Sequence, residues 1–542
     1  MRKIVKASVT ACTLLTVLSL PIAYAWSAGV LTKISAVSDE GLKIMLNNTD
    51  SKLKNEDGTS MSPIIYNDRT YIPLRALSNL LGIGINYNAD NKTININTDN
   101  KNITTFSGIR MPNVSPEMNT PNYWIDKTAD AGKTILDANG VDDFNKKTTA
   151  IRESKVYNLR EYPSFISKND LANYINELPF PGEDRYIGDK KAEKSYYDEI
   201  LKNMNLSAIQ SKNDVLYGFT VKRTNVRTLP VNDPSYTDPN DLEFDYFQET
   251  ALEAAEPLLV LYKTLDNKWF FVQSSNYRGW TPAADIAVAS TKEDWLSFLD
   301  DENFIVVTAN KVTLAPNPYT PSLSGLTLGM GCKLPVFLSG KQPAYVDGMM
   351  SQGNYVVKIP ARNEDGSLQF KNALVPFSND ISFGYLPYTK ANVIRQAFKM
   401  LGDRYGWGGS FGSRDCSSFV CDIYKCFGIV LPRNTTEQEL CPGPTVKFGS
   451  QSYNERKKTM EGIEPCSIAY MPNHEMLYLG TVDGREYIMH SVYSYGDKNR
   501  PKTDGGLEKV VINGIVVSDL DIARRGNGKS FLENLTSIKT IK

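Results

Sequence analysis

Residues 405–428 constrain this chain more than any other stretch. Tyr405-Gly-Trp-Gly-Gly-Ser-Phe-Gly-Ser-Arg-Asp-Cys416 is a glycine-rich run, and it passes directly into Phe419, Val420, Ile423, Tyr424 and Phe427 before Gly428. Apolar residues at that spacing form one face of a helix, and the glycines before it allow the tight turns a connecting loop needs. Cys416 therefore opens the helix, where free backbone N–H groups and the dipole favour a thiolate. The expected effect is a thiol pKa one or more units below its free value of about 8.5. Cys421 and Cys426 fall deeper in the same helix, where that field has faded, and read as packing residues.

A nucleophilic thiol needs a base that takes its proton and returns it to the leaving amine, a task suited to imidazole. The sequence holds two histidines, His474 and His490, both downstream of Cys416 in strand-like runs. Asp483-Gly484 between them is a strong hairpin signal. A regular two-residue turn there would put even-numbered positions of the two strands on opposite faces, and the rings would point apart. If both serve one site, the hairpin needs a bulge or an odd loop, for instance three residues at 482–484.

The remaining sequence narrows the setting. Its 542 residues are enough for several domains, and Lys+Arg 60 against Asp+Glu 61 gives no basic footprint for nucleic acid. Arg2, Lys3 and Lys6, an apolar run from Val9 to Ile22, and Ala23-Tyr24-Ala25 read as an export signal over 1–25. The run is too short for a membrane anchor, and no later stretch is long enough to span. The lettering around Cys12 matches a lipoprotein site by coincidence, because the apolar core follows the cysteine. Six cysteines remain after the signal: Cys332, Cys416, Cys421, Cys426, Cys441 and Cys466. Their pairing is open, and without any C-x-x-C pair they do not suggest zinc.

Residues 36–99 read as a small α+β module. Turns at Asp57-Gly58 and Asn67-Asp68 flank a strand at Ile64–Tyr66, a helix over Leu74–Leu81 starts at Pro73, and strands follow at Ile83–Tyr87 and Ile94–Ile96. Residues 110–205 are polar and helix-leaning, a connector. Two β-rich segments, 213–290 and 300–388, repeat each other weakly: Val221, Val226 and Pro230 recur as Val307, Val312 and Pro316, and both close on Gly-aromatic-x-Pro. Small barrels are expected there. The last segment, 390–542, opens with a helix at Ala391–Leu401.

Asp415-Cys416-Ser417, the preceding "YGWGG", the following "LPRNTTEQ" and the two histidines resemble the NlpC-type cell-wall cysteine peptidases. The two β-rich segments resemble bacterial SH3-like domains. "PIIYNDRTYIPLRALSNLLG" resembles the module named after the amino-terminal domain of copper amine oxidases; it contains no histidine, so copper is not implied. The resemblance implies a multidomain chain with a circularly permuted papain-like α+β catalytic domain, and an exported hydrolase without cofactor. Its subgroup would be the γ-D-glutamyl-L-diamino-acid endopeptidases, which act on peptidoglycan stem peptides.

Carried over by motif, Cys416 is the nucleophile, His474 the base, His490 the residue orienting it, and Tyr405 an oxyanion donor beside the Cys416 N–H. Asp415, Ser417 and Tyr277 would hold the free amine of the substrate's L-alanine. Ser418 departs from the glycine common after Asp-Cys-Ser, and an insertion around Lys447–Glu461 leaves the cleft rim undefined. The same constellation also serves amidases and acyltransferases, and an idle catalytic domain would leave a wall-binding adhesion protein. Oligomeric state and the third stem residue, diaminopimelate or lysine, are not readable from the sequence.

Overall fold

The computed structural model describes residues 111–180, 185–503 and 506–542 continuously, with short stretches between 35 and 97. The expected export signal and the turns at Asp57-Gly58 and Asn67-Asp68 lie outside the described residues. The chain divides into two compact units, 1–106 and 107–542.

In the first unit, Ile64–Tyr66 pairs antiparallel with both Val37–Ser38 and Arg69–Tyr71. Gly84–Asn88 pairs with Thr93–Asn97, with Ile85 opposite Ile96 and Tyr87 opposite Ile94. The two strands that the alternating isoleucines mark are therefore register partners.

Among the described residues of the second unit, three sheet systems stand beside smaller two- and three-stranded pairings. Seven strands between Leu216 and Val288 form one sheet, with Thr224–Arg227 between Gln248–Leu252 and Arg278–Pro282. Between 304 and 383 the strands fall into smaller sheets. Phe304–Val307 pairs with Lys333–Pro335 and Ile381–Phe383, while Asn354–Arg362 and Leu368–Pro376 form a long hairpin. Of the positions in the weak repeat, Val226 and Val312 are both buried, in Thr224–Arg227 and Lys311–Thr313, whereas Val221 lies in a bend and Val307 in a strand.

The third system is a six-stranded antiparallel sheet. Its order is Thr445–Lys447, Ser537–Lys539, Ile468–Met471, His474–Val482, Arg485–Pro501 and Leu507–Asp519. The helices Lys390–Phe398 and Cys416–Lys425 share a core with it, through Ile394, Phe419, Val420, Ile423, Leu477 and Met489.

The polar connector expected at 110–205 does not act as one subdomain. Val114, Trp124, Val141 and Phe144 belong to the core of the six-stranded sheet, whereas Leu171, Ile175, Ile200 and Met204 belong to the core under the β-rich segments. Each half contributes too little apolar surface to close a core alone, so each is recruited by the nearest larger one. The insertion at 447–461 forms the helix Tyr453–Met460, whose buried Arg456 donates to the Leu532 and Leu535 carbonyls. It braces the carboxy-terminal segment.

Candidate active site

The glycine-rich loop is shaped by the first barrel. Gly408 and Gly409 have φ of 55° and 80°, and a Cβ at either would lie 2.8 Å from Gln248 O or the Ala251 Cβ. Only glycine allows this approach to the strand Gln248–Leu252. Arg223 fastens the loop by donating to Gly409 O (2.9 Å) and Ser413 O (3.0 Å), and Gln248 Nε2 donates to Gly408 O (2.9 Å).

From that anchor the helix Cys416–Lys425 begins. Asp415 is its N-cap and accepts from Ser418 N at 2.9 Å, while Ser418 Oγ accepts from Asp415 N, a reciprocal capping box. Ser418, the departure noted in the sequence, thus closes the cap. Cys416 is the first helical residue and is 9% exposed. It lines a cleft of about 610 Å³ together with Tyr405, His474, Tyr493, Arg524 and Phe531.

The histidines meet as the shared-site argument requires, by the bulge and not by an odd loop. Val482 pairs with Arg485 across a regular two-residue turn at Asp483-Gly484, and the register then slips between Gly480 and Tyr478. Gly480, at φ 132°, supports the bulge. His474 Nε2 lies 2.8 Å from His490 Nδ1, and His490 Nε2 lies 3.1 Å from Ser518 Oγ. Phe531 sets its ring edge against both imidazoles, 5.9 Å from each. Ser518, which no sequence signal singled out, extends the chain of polar contacts.

The charge states differ from the sequence expectation. Burial, with the Asp415 and Glu475 carboxyls close by, pushes the Cys416 thiol up to about 12, although the Glu475 N–H and the Thr435 hydroxyl oppose this. Burial also takes His474 down to about 3, assisted by the positive charge of Arg524. The helix start does not offset desolvation, so the cleft holds a neutral thiol and a neutral imidazole.

Asp415 and Ser417 are not brought to an open surface. Asp415 Oδ2 accepts from Arg433 Nη2 (2.6 Å) and Gly408 N (3.1 Å), and its Oδ1 from Ser418 N, Ser418 Oγ and Ser417 Oγ. Ser417 Oγ also accepts from Arg433 Nη1 at 2.8 Å. Tyr277 lies instead in a second cavity of about 260 Å³, where it donates to Glu249. Arg433 lines that cavity and so connects it to Asp415. Arg433 stands inside the "LPRNTTEQ" motif, which carried a signal; Glu249 carried none.

Among the described residues all six cysteines are free and buried, no cluster could hold a metal ion, and no helix is long and apolar enough to cross a membrane.

Residues 402–498 match the family model of the NlpC/P60 family, 234–282 that of an SH3 domain of the SH3b1 type, and 52–117 that of the copper amine oxidase N-terminal domain. A solved NlpC/P60 endopeptidase from Photobacterium damselae subsp. piscicida shares the fold. It has a TM-score of 0.60 and 19% identity, over 76% of this chain and 94% of that one. An NlpC/P60 family protein from Bacillus cereus ATCC 10987 aligns at 18% identity over 60% of this chain and 99% of that one, with a TM-score of 0.39. No curated protein matches. The chain is thus a multidomain protein carrying an NlpC/P60 cysteine peptidase domain and an SH3b domain, a combination that supports a cell-wall endopeptidase.

Proposed function

We propose that the protein is an exported cysteine endopeptidase that hydrolyses the γ-D-glutamyl-L-diamino acid bond of peptidoglycan stem peptides. The observation that carries this reading is Cys416 at a helix start in the same cleft as His474, itself held by His490 and Ser518.

One tautomer of this hydrogen-bond chain makes His474 the proton acceptor. His474 uses Nε2 toward His490, which leaves Nδ1 for the thiol. With Nε2–H donated to His490 Nδ1, and His490 Nε2–H donated to Ser518 Oγ, both rings are neutral and His474 Nδ1 keeps a free lone pair for the thiol proton. Substrate displaces water from the cleft, and Cys416 gives its proton to His474 Nδ1 as sulfur attacks the glutamyl carbonyl carbon. The Cys416 N–H and the Tyr405 hydroxyl face the developing oxyanion, where one lost donor costs about 3–4 kcal/mol. Collapse breaks the C–N bond, and the amine leaves with the proton from His474. Water then attacks the thioester, giving a proton to His474, and the released thiolate takes it back.

A trimmed substrate carries a free L-alanine amine. Asp415 is already paired with Arg433, so the carboxylate that meets this ammonium is Glu249, oriented by Tyr277. Acetylating the amine removes its charge and should abolish turnover.

Mass spectrometry of muropeptides digested by wild type and by Cys416→Ala tests the reading. Loss of the γ-D-glutamyl cleavage products only in the variant is expected; products from the variant, or none from wild type, overturn it.

A further inference from the structure

The cleft around Cys416 has an uneven charge. Lys502, Arg524 and Arg525 line it, and no acidic side chain does among the described residues. Lys502 is engaged by Glu508 at 3.5 Å. Arg524 is half-buried and Arg525 exposed, and neither forms an ion pair among the described residues. The turn that carries them is fixed: Gly528 N donates to Arg524 O at 3.0 Å, Arg524 N to Lys529 O at 2.7 Å, and Ala523 bridges to both Gly496 and Ser530. A guanidinium held partly out of water without a counter-charge is a standing site for a carboxylate.

The two ends of the substrate can be placed against it. His474, which returns a proton to the leaving amine, shares the cleft with Arg524, whereas the cavity of Tyr277 and Glu249 contains neither. The acyl half, ending in an ammonium, belongs with the carboxylate of Glu249. The leaving diamino acid belongs with the arginines.

We propose that Arg524, supported by Arg525, is a carboxylate-binding specificity determinant that selects a leaving diamino acid with a side-chain carboxylate, the diaminopimelate class, over lysine. This rests on the endopeptidase reading above. Both diamino acids carry an α-carboxylate and a side-chain ammonium; only diaminopimelate adds a second carboxylate to satisfy the guanidinium. Lysine leaves the guanidinium only the α-carboxylate that both share, and its side-chain ammonium has no carboxylate beside it to offset a like charge, which disfavours it.

The test uses the full chain with L-Ala-γ-D-Glu-meso-diaminopimelate, the same peptide amidated at the side-chain carboxyl, and L-Ala-γ-D-Glu-L-Lys. Wild type should favour the first over both others by about tenfold in kcat/KM, with the preference shrinking as salt rises. Arg524→Gln should bring the three within about twofold, mainly through a higher KM for the first, and Arg524→Lys should restore part of the gap. The charge of Arg524 also acts on His474, but that effect is common to all three substrates and cancels in the ratio. Amidation changes only the substrate, so it tests the idea even if the variants fail to fold. Equal cleavage of all three by wild type, or an unchanged ratio in Arg524→Gln, overturns the inference and leaves the endopeptidase standing. Cleavage of none overturns both.

Discussion

Two buried carboxyls flank the nucleophile and are held in opposite states. On the barrel side, Asp415 is kept below the usual carboxylate range against its burial, because Arg433 and the hydroxyl and N–H of Ser418 favour the charged form. On the strand side, Glu475 is fully buried with no counter-charge in contact, and burial raises it to about 8, although the Thr435 hydroxyl and the Gln438 amide oppose this. Arg433 acts on both, but it touches only Asp415. The difference shows that contact with a counter-charge, and not depth, decides whether a buried acid ionises here. It also gives the nucleophile one fixed negative neighbour and one neutral one at neutral pH.

The largest effects should come from the strand side. His474→Ala removes the imidazole that lines the cleft, and kcat/KM for the stem tripeptide should fall about a thousandfold or more, with the fold retained by circular dichroism. Next comes the barrel side. Arg433→Met leaves Asp415 buried without its counter-charge, and urea unfolding should show a loss of about 3–5 kcal/mol. If that variant is as stable as wild type, the contrast between the two acids has been misread. A smaller effect is expected from Glu249→Gln, which weakens the ammonium site alone: KM should rise about tenfold while kcat holds.

How far the sequence could anticipate this arrangement depends on which contacts are local. The start of the Cys416 helix was legible because loop, cap and apolar face lie within 25 residues of each other. The need for a bulge between the histidines was legible too, since strand parity is arithmetic. Its location was not: Asp483-Gly484 forms the regular turn, and a lone Gly480 inside a strand was the only mark of the slip. The thiol's charge was misjudged because the burial of Cys416 is a property of the packed fold, and the Glu475 carboxyl that adds to it lies far along the chain. Likewise Arg433 stood in a visible motif, but that it would occupy Asp415 depends on how the barrel and helix meet. The connector misled for the same reason: its helices are local, the two cores that divide them are not.

The smallest effect sharpens the comparison by titration. A carboxyl whose folded pKa lies above its unfolded value binds its proton more tightly in the folded state. Glu475 therefore contributes stability that is present in full below about pH 4.5 and is lost as pH rises through about 8. Asp415, shifted the other way, contributes above its unfolded pKa and loses it as pH falls. Glu475→Gln keeps the shape and removes the titration, so its stability relative to wild type should increase from pH 5 to about pH 8, at about 1.4 kcal/mol per unit at the steepest, and level off above that. Urea midpoints measured across that range read the slope directly. Parallel curves for the two proteins would mean that Glu475 is already ionised and paired, and the two sides of Cys416 would then be alike.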